Sequence, residues 1–147
     1  DRIGLETNQV LIISKLLVGT FPDFKSVIPM QHQFEVSMHR DELISMLRQI
    51  SIFTEDATAI STFTFDQSTL TLLSSHHQIG EGSASMPVAY DAERFEIAFN
   101  PQHMLDVLKH TDDENLTFKF IDAFSPCVIE DSKNALFVIM PMRRQGE

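Results

Sequence analysis

Apolar and polar positions along this chain change rhythm in a fixed order, and that order occurs twice. QFEVSM (33–38) alternates, the two-residue period of a strand with one buried face. In RDELISMLRQIS (40–51), Leu43, Ile44, Leu47 and Ile50 recur at helical spacing, while Arg40, Asp41, Ser45 and Arg48 fall on the opposite side. Strands are predicted next at ISTFTF (60–65), LTLLSS (70–75) and a less regular stretch from Ile79 to Val88, with turns at Asp66-Gln67-Ser68 and His76-His77. The series then begins again. A strand FEIAF (95–99) leads to a helix from Pro101 to about His110, then to strands LTFKF (116–120), PCVIE (126–130) and ALFVIM (135–140).

The repetition reaches the residues themselves. Phe34–Leu47 aligns without gaps on Phe95–Leu108 at an offset of 61 residues. Phe34/Phe95, Glu35/Glu96 and Leu47/Leu108 are identical; Val36/Ile97, Leu43/Met104, Ile44/Leu105 and Met46/Val107 keep apolar character. Two copies at so long a period do not make a solenoid. They predict an α+β fold with pseudo-two-fold symmetry: strand, helix and three strands, repeated, giving two antiparallel sheets and two helices on one face.

The first 29 residues do not belong to that pattern. RIGLE and VLIIS read as two strands around a Thr7-Asn8 turn. A lone hairpin is marginal in water, so residues 1–18 are expected to be the end of a preceding domain, and the chain, which opens on Asp1, a piece of something longer. GTFPDFKSVIP (19–29) reads as a connecting loop anchored by Phe21, Phe24 and Val27, with a helical turn after Pro22. The expected division is therefore 1–29 and 30–147.

Composition narrows the function. With 147 residues, 43% of them hydrophobic and 22% charged, the chain is long and apolar enough for a core of its own. Acids outnumber bases 21 to 11, for a net charge of −10. A protein that grips nucleic acid through phosphates usually carries excess Lys and Arg, so any contact with DNA must be local or arise from geometry. Cys127 is the only cysteine, which excludes an intramolecular disulfide and a Cys-based zinc site and fits a reducing cytoplasm. No apolar run approaches the ~20 residues of a membrane span.

Candidate chemistry is sparse. The five glycines are scattered rather than gathered into a phosphate loop, and the acids form no pair at a diagnostic spacing. Adjacent His76 and His77 cannot both point one way on a strand. His103 and His110 read as surface histidines, and Cys127 as a small buried hydrophobe. No active site, metal or cofactor is expected. The polar helix faces hold three of the basic residues, Arg40, Arg48 and Lys109. They are either solvated surface or a shared face turned toward DNA phosphates. At the C-terminus, FVIMPMR (137–143) ends its pairing at Pro141, and Met140 and Met142 make adaptable apolar surface of the kind that accepts peptides. A last core strand with a frayed tail is the alternative.

TFPDFKSVIP (20–29), FNPQHMLDVL (99–108) and VIMPMR (138–143) stand in an order and spacing that, with most of the remaining chain, resembles the sliding-clamp family, the beta subunits of bacterial DNA polymerase III. The resemblance implies a DNA-clamp fold and a non-catalytic processivity factor. In that family three similar domains form a subunit, and two subunits close head to tail around duplex DNA. This chain would supply the last hairpin of the middle domain and the whole third domain. Its partners would be duplex DNA, a second subunit, and the polymerase III catalytic subunit and clamp loader, which dock short linear peptides between the middle and third domains.

The same resemblance assigns residues. The peptide groove would take Pro22, Ser26 and Val27 from the connecting loop, with Thr58, Asn100 and His103. Phe124 and Pro126 follow, and then the terminal Val138, Ile139, Met140, Pro141, Met142 and Arg143. The family commonly has Arg where Ser26 stands, and an aromatic residue where Thr58 and His103 stand. Ring closure would use Ile52 and Phe53 at the end of the first helix, with Glu81 near the neighbouring edge strand. Phe53 tucking into its own core is the competing expectation. A small two-sheet cytosolic enzyme or a plain interaction module of the same fold are the competing functions.

Overall fold

The computed structural model of the chain describes residues 1–54, 60–76, 80–133 and 135–143. Among these described residues, ten strands and two α-helices follow in the order β1 (Arg2–Glu6), β2 (Leu11–Lys15), β3 (Phe34–His39), α1 (Arg40–Ile50), β4 (Ser61–Asp66), β5 (Thr69–His76), β6 (Gly80–Pro87), β7 (Phe95–Phe99), α2 (Pro101–Lys109), β8 (Asn115–Phe120), β9 (Cys127–Glu130) and β10 (Leu136–Ile139). Short 3-10 turns occupy Phe24–Val27 and Ser51–Phe53. The twice-repeated strand, helix and three strands are all present. Of the predicted His76-His77 turn, His77 lies outside the described residues.

Local chemistry accounts for the boundaries. Each helix starts directly at the end of the first strand of its copy. The His39 Nδ1 accepts from the Glu42 N–H at 3.4 Å, and Asp41 and Glu42 sit in the first turn, where the helix dipole favours negative charge. In the second copy the Asn100 Oδ1 accepts from the Gln102 N–H at 2.8 Å, with Pro101 at the first helical position. Both helices bury one stripe: Leu43, Met46, Leu47 and Ile50 on α1, Pro101, Met104, Leu105 and Leu108 on α2. Gln67 and Ser68 both adopt positive φ, 46° and 61°, the backbone a two-residue hairpin between β4 and β5 needs.

The sheets show what the pattern did not predict. Their orders are β10-β9-β8-β3 and β6-β5-β4-β7, all antiparallel. Each copy keeps its last three strands together and gives its first strand to the other copy's sheet. Phe34 of β3 therefore pairs with Phe120 of β8, and Phe95 of β7 with Phe65 of β4. These four rings meet. Phe34 and Phe95 are 4.8 Å apart edge to face, Phe34 and Phe120 are 5.3 Å apart and stacked, and Phe65 and Phe120 are 5.4 Å apart. Tyr90 closes the cluster at 5.6 Å from both Phe34 and Phe65. Period-two alternation says which face of a strand is buried and nothing about its partner, so the exchange lay beyond the sequence pattern.

The rest of the core joins helices to sheets: Val36, Met38, Phe63, Leu70, Leu72, Ile97, Phe99, Leu116, Phe118 and Ile129 are buried together with the helical stripes. Cys127 is fully buried within it, and burial pushes its thiol pKa up. In contrast, β1 and β2 pair only with each other, and every residue from 1 to 27 is exposed. No helix among the described residues is long and apolar enough to cross a membrane.

The shared aromatic cluster makes a stability prediction. Phe65→Ala and Phe120→Ala should each destabilise the chain by about 3–5 kcal/mol in urea titration. A double-mutant cycle between them should give a coupling of about 0.5–1.5 kcal/mol. Because each sheet holds a strand from both copies, far-UV and near-UV circular dichroism should report one coincident transition; two separate transitions would contradict the interlock.

Candidate functional site

Three surfaces carry the predicted site residues. The first is the outer face of the helix pair. Arg40, at the start of α1, reaches across to α2: its Nε donates to the Leu108 carbonyl at 2.8 Å, and its Nη1 to Asp41 at 2.8 Å. Its backbone N–H donates to the Glu114 carbonyl at 2.8 Å. Arg40 is thus partly buried and ties the start of one helix to the end of the other. Arg48 is exposed, beside a shallow depression of about 530 Å³ that runs along α1 from Arg40 to Ile52. Lys109 is exposed and pairs with Asp106 at 3.2 Å; that bond, with one from Gln102, holds the Asp106 carboxyl below the usual carboxylate range. Of the three basic residues read as one face, one is committed to the fold and two meet solvent.

The second surface is the end of α1. Ile52 is 68% exposed. Phe53, next to it, is partly buried: its ring lies on Gly82 of β6, so closely that any Cβ there would overlap it. Phe53 therefore packs into its own domain and turns Ile52 outward. Glu81 is exposed on β6, and β6 is the open edge of its sheet.

The third surface is a cleft at the C-terminal end. Past β10 the chain crosses to the other sheet, where the Met142 N–H donates to the Ala98 carbonyl of β7 at 2.7 Å. Between this tail, β7 and the β8–β9 loop lies a space of about 110 Å³, bordered by Ile97, Ala98, Ala123, Phe124, Met142 and Arg143, with Glu96 at its rim. Phe124 is 63% exposed and Met140 is 59% exposed. The Asp122 carboxylate accepts from the Phe124 N–H at 2.8 Å, the Ser125 N–H at 2.6 Å and the Ser125 hydroxyl at 3.0 Å. The Phe124 bond, reinforced by Ser125, holds the Asp122 carboxyl below its ordinary range.

The structure thus brings Phe124, Met142 and Arg143 together. Pro141 and Val138 are partly buried in the same tail and strand, Pro126 is partly buried at the entry to β9, and Ile139 is in the core rather than on the wall. Asn100 is buried at the start of α2, its side chain spent on capping, while His103 is exposed one turn later. Pro22, Ser26 and Val27 are exposed on a loop whose hydrogen bonds are internal, such as Ser26 Oγ to the Asp23 carbonyl at 2.7 Å. Thr58 lies outside the described residues. Sequence reasoning missed Ile97, Ala98 and Ala123: the first two lie on a strand edge selected by where the tail returns, and the third on the β8–β9 loop at the same space. Among the described residues no three His, Cys, Asp or Glu side chains gather to hold a metal.

Comparison with known proteins agrees with this fold. The family model for the C-terminal domain of the DNA polymerase III beta subunit matches residues 25–143. The beta sliding clamp of Chlamydia muridarum is 44% identical over 142 residues, covering 97% of this chain and 39% of that protein. That of Caulobacter vibrioides is 25% identical over 145 residues, again covering 97% and 39%. Among solved structures, the sliding clamp of Bartonella birtlesii bound to griselimycin superposes with a TM-score of 0.88 at 29% identity, over 97% of this chain and 39% of that one. The beta subunit of Thermotoga maritima superposes with a TM-score of 0.84 at 32% identity, over 97% and 40%. The chain therefore spans about two fifths of the length of these relatives.

The helix face yields a contrast in stability. Arg40→Ala should cost about 1–3 kcal/mol in urea titration, because the Leu108 carbonyl loses a charged donor. Arg48→Ala should stay within about 0.5 kcal/mol of the parent chain. Equal effects of the two would mean that Arg40 is no tie between the helices.

Proposed function

Because the chain belongs to the family of bacterial DNA polymerase III beta subunits, the sliding clamps, we propose that it is the C-terminal sector of a processivity clamp. It is a non-catalytic, cytoplasmic subunit that encircles duplex DNA and tethers the replicative polymerase. In this reading residues 30–147 form the third clamp domain, and residues 1–29 bring the last hairpin of the middle domain and the loop that joins the two. The hairpin's exposed apolar residues, Ile3, Leu5, Ile12 and Ile13 among them, are what a missing domain body would cover. The observation that carries the proposal is the likeness to solved clamps over nearly the whole chain.

The physics of such a ring suits this composition. Enclosure supplies persistence on DNA, so phosphate contacts need only be weak and independent of sequence. An acidic chain with Arg48 and Lys109 free to face outward on the helix pair meets that requirement; Lys109 shares its charge with Asp106, which weakens its grip further. The second subunit of the homodimer docks at Ile52 and the open β6 edge beside Glu81, with Phe53 bracing that surface from within. The C-terminal cleft, with Met140, Met142 and Phe124 around it, takes the apolar end of a short linear peptide from the polymerase or the clamp loader. Binding of modest strength suffices, because tethering raises the partner's effective concentration at the primer end.

Titration of the isotopically labelled chain with the peptide Gln-Leu-Ser-Leu-Phe tests the cleft. Signals of Met140, Met142 and His103 should move, and Met142→Asp should weaken binding about tenfold or more by calorimetry, with its melting temperature within a few degrees of the parent. Unmoved signals at saturation, or full binding by the variant, would sink the groove reading.

A further inference from the structure

The β8–β9 loop leaves its sheet after Phe120 and rejoins it at Cys127. Between these residues no backbone-to-backbone hydrogen bond outside the sheet ladders is present among the described residues. What folds the segment is one side chain. The Asp122 carboxylate collects the Phe124 N–H, the Ser125 N–H and the Ser125 hydroxyl, at 2.8, 2.6 and 3.0 Å. The turn it makes aims Phe124 outward, 63% exposed, at the border of the C-terminal cleft. Leaving a phenyl ring in water contributes nothing to folding; held there, it gives an apolar partner a wall already in place.

We propose that Asp122 is the positioning residue of this cleft, folding residues 122–125 so that the Phe124 ring stands ready against the apolar end of a docking peptide. The proposal rests on the reading of the cleft as the peptide groove. Asp122 itself does not border the cleft: its three bonds go to Phe124 and Ser125 of its own loop. Its effect must therefore pass through Phe124. Loss of the carboxylate frees the loop backbone, and the peptide must then order the ring as it binds, which weakens affinity about three- to tenfold.

A double-mutant cycle on the full chain tests this, read by calorimetry with the peptide Gln-Leu-Ser-Leu-Phe. Asp122→Ala should lose about three- to tenfold in affinity. Phe124→Ala should lose at least as much, and the double variant should be no weaker than Phe124→Ala alone within about twofold. Asp122→Asn keeps an oxygen for both N–H donors while removing the charge, so it should bind within about twofold of the parent. Amide exchange at Phe124 and Ser125 should quicken in Asp122→Ala and not in Asp122→Asn. Additive losses would overturn the proposal, since Asp122 would then act independently of the ring. So would a loss in Asp122→Asn equal to that in Asp122→Ala, which would mark a charge contact with the peptide. A large fall in the melting temperature of Asp122→Ala would assign the carboxylate to the fold instead. Peptide bound equally by the parent and Asp122→Ala overturns the role of Asp122 alone; no binding by the parent overturns the groove reading and this role with it.

Discussion

The structure depends on an exchange of strands. Neither copy of the repeated unit completes its four-stranded sheet alone, because β3 lies beside β8 and β7 beside β4. The aromatic cluster sits where the exchanged strands meet, with Phe34 and Phe95 contributed by one strand of each copy and Phe65 and Phe120 by the sheets that receive them. Edge-to-face and offset ring pairs add to the area they bury and fix relative orientation. A domain made this way has a single core with contributions from both halves. That rigidity is what lets a helix face, a strand edge and a cleft keep fixed positions on one small chain.

Charge is distributed over this frame sparingly. In the helix pair Arg40 gives its guanidinium to the Leu108 carbonyl and to Asp41, and Lys109 is shared with Asp106. Elsewhere Lys119 pairs with Glu130 at 2.7 Å, Lys133 with Asp112 at 2.6 Å, and Arg94 with Glu96. Five of the ten Lys and Arg side chains among the described residues are thus locally neutralised, and exposed pairs of this kind are worth little to stability. Their effect is on the field: each pair cancels one charge of either sign, the net charge stays at −10, and Arg48 is left as the cation least committed on the helix face. In the proposed clamp such economy is an advantage, because each added phosphate contact steepens both affinity and salt dependence.

Much of this was legible in the sequence, for identifiable reasons. The two strand–helix junctions carried identical Phe, Glu and Leu residues at a common offset, so the repeat, and with it the element order, followed from residue identity and period. Ile52, on the polar side of its helix one turn after Arg48, was already anomalous as an exposed apolar residue. What stayed hidden was non-local. The strand exchange needs a register between residues far apart, Arg40's partner is a carbonyl on the other helix, and the cleft exists because the tail returns to the Ala98 edge. One local signal went unread: Asp122 two residues before Phe124 and three before Ser125 is the spacing of a side-chain-capped turn.

The symmetry of the fold also explains why the cleft opens where it does. Each copy, on leaving its last strand, crosses to the other sheet and meets its own first strand there. After β6 the chain brings Tyr90, three residues past the strand end, onto Phe34 of β3. After β10 it brings Met142, also three residues past the strand end, onto Ala98 of β7. The two crossings are alike, but what they deliver differs. Tyr90 and Val88 are buried, and the Ser68 turn holds the crossing through bonds to both residues. In the second copy the corresponding segment is Met140-Pro141-Met142, with Met140 exposed, Pro141 and Met142 partly buried and no aromatic ring to fill the seam. The seam that Tyr90 seals in one copy is therefore left as a cleft in the other. A near-symmetric scaffold acquires a one-sided cleft by changing what its second crossing carries, and the neighbouring loop, folded on Asp122, places Phe124 at the border of the space so formed.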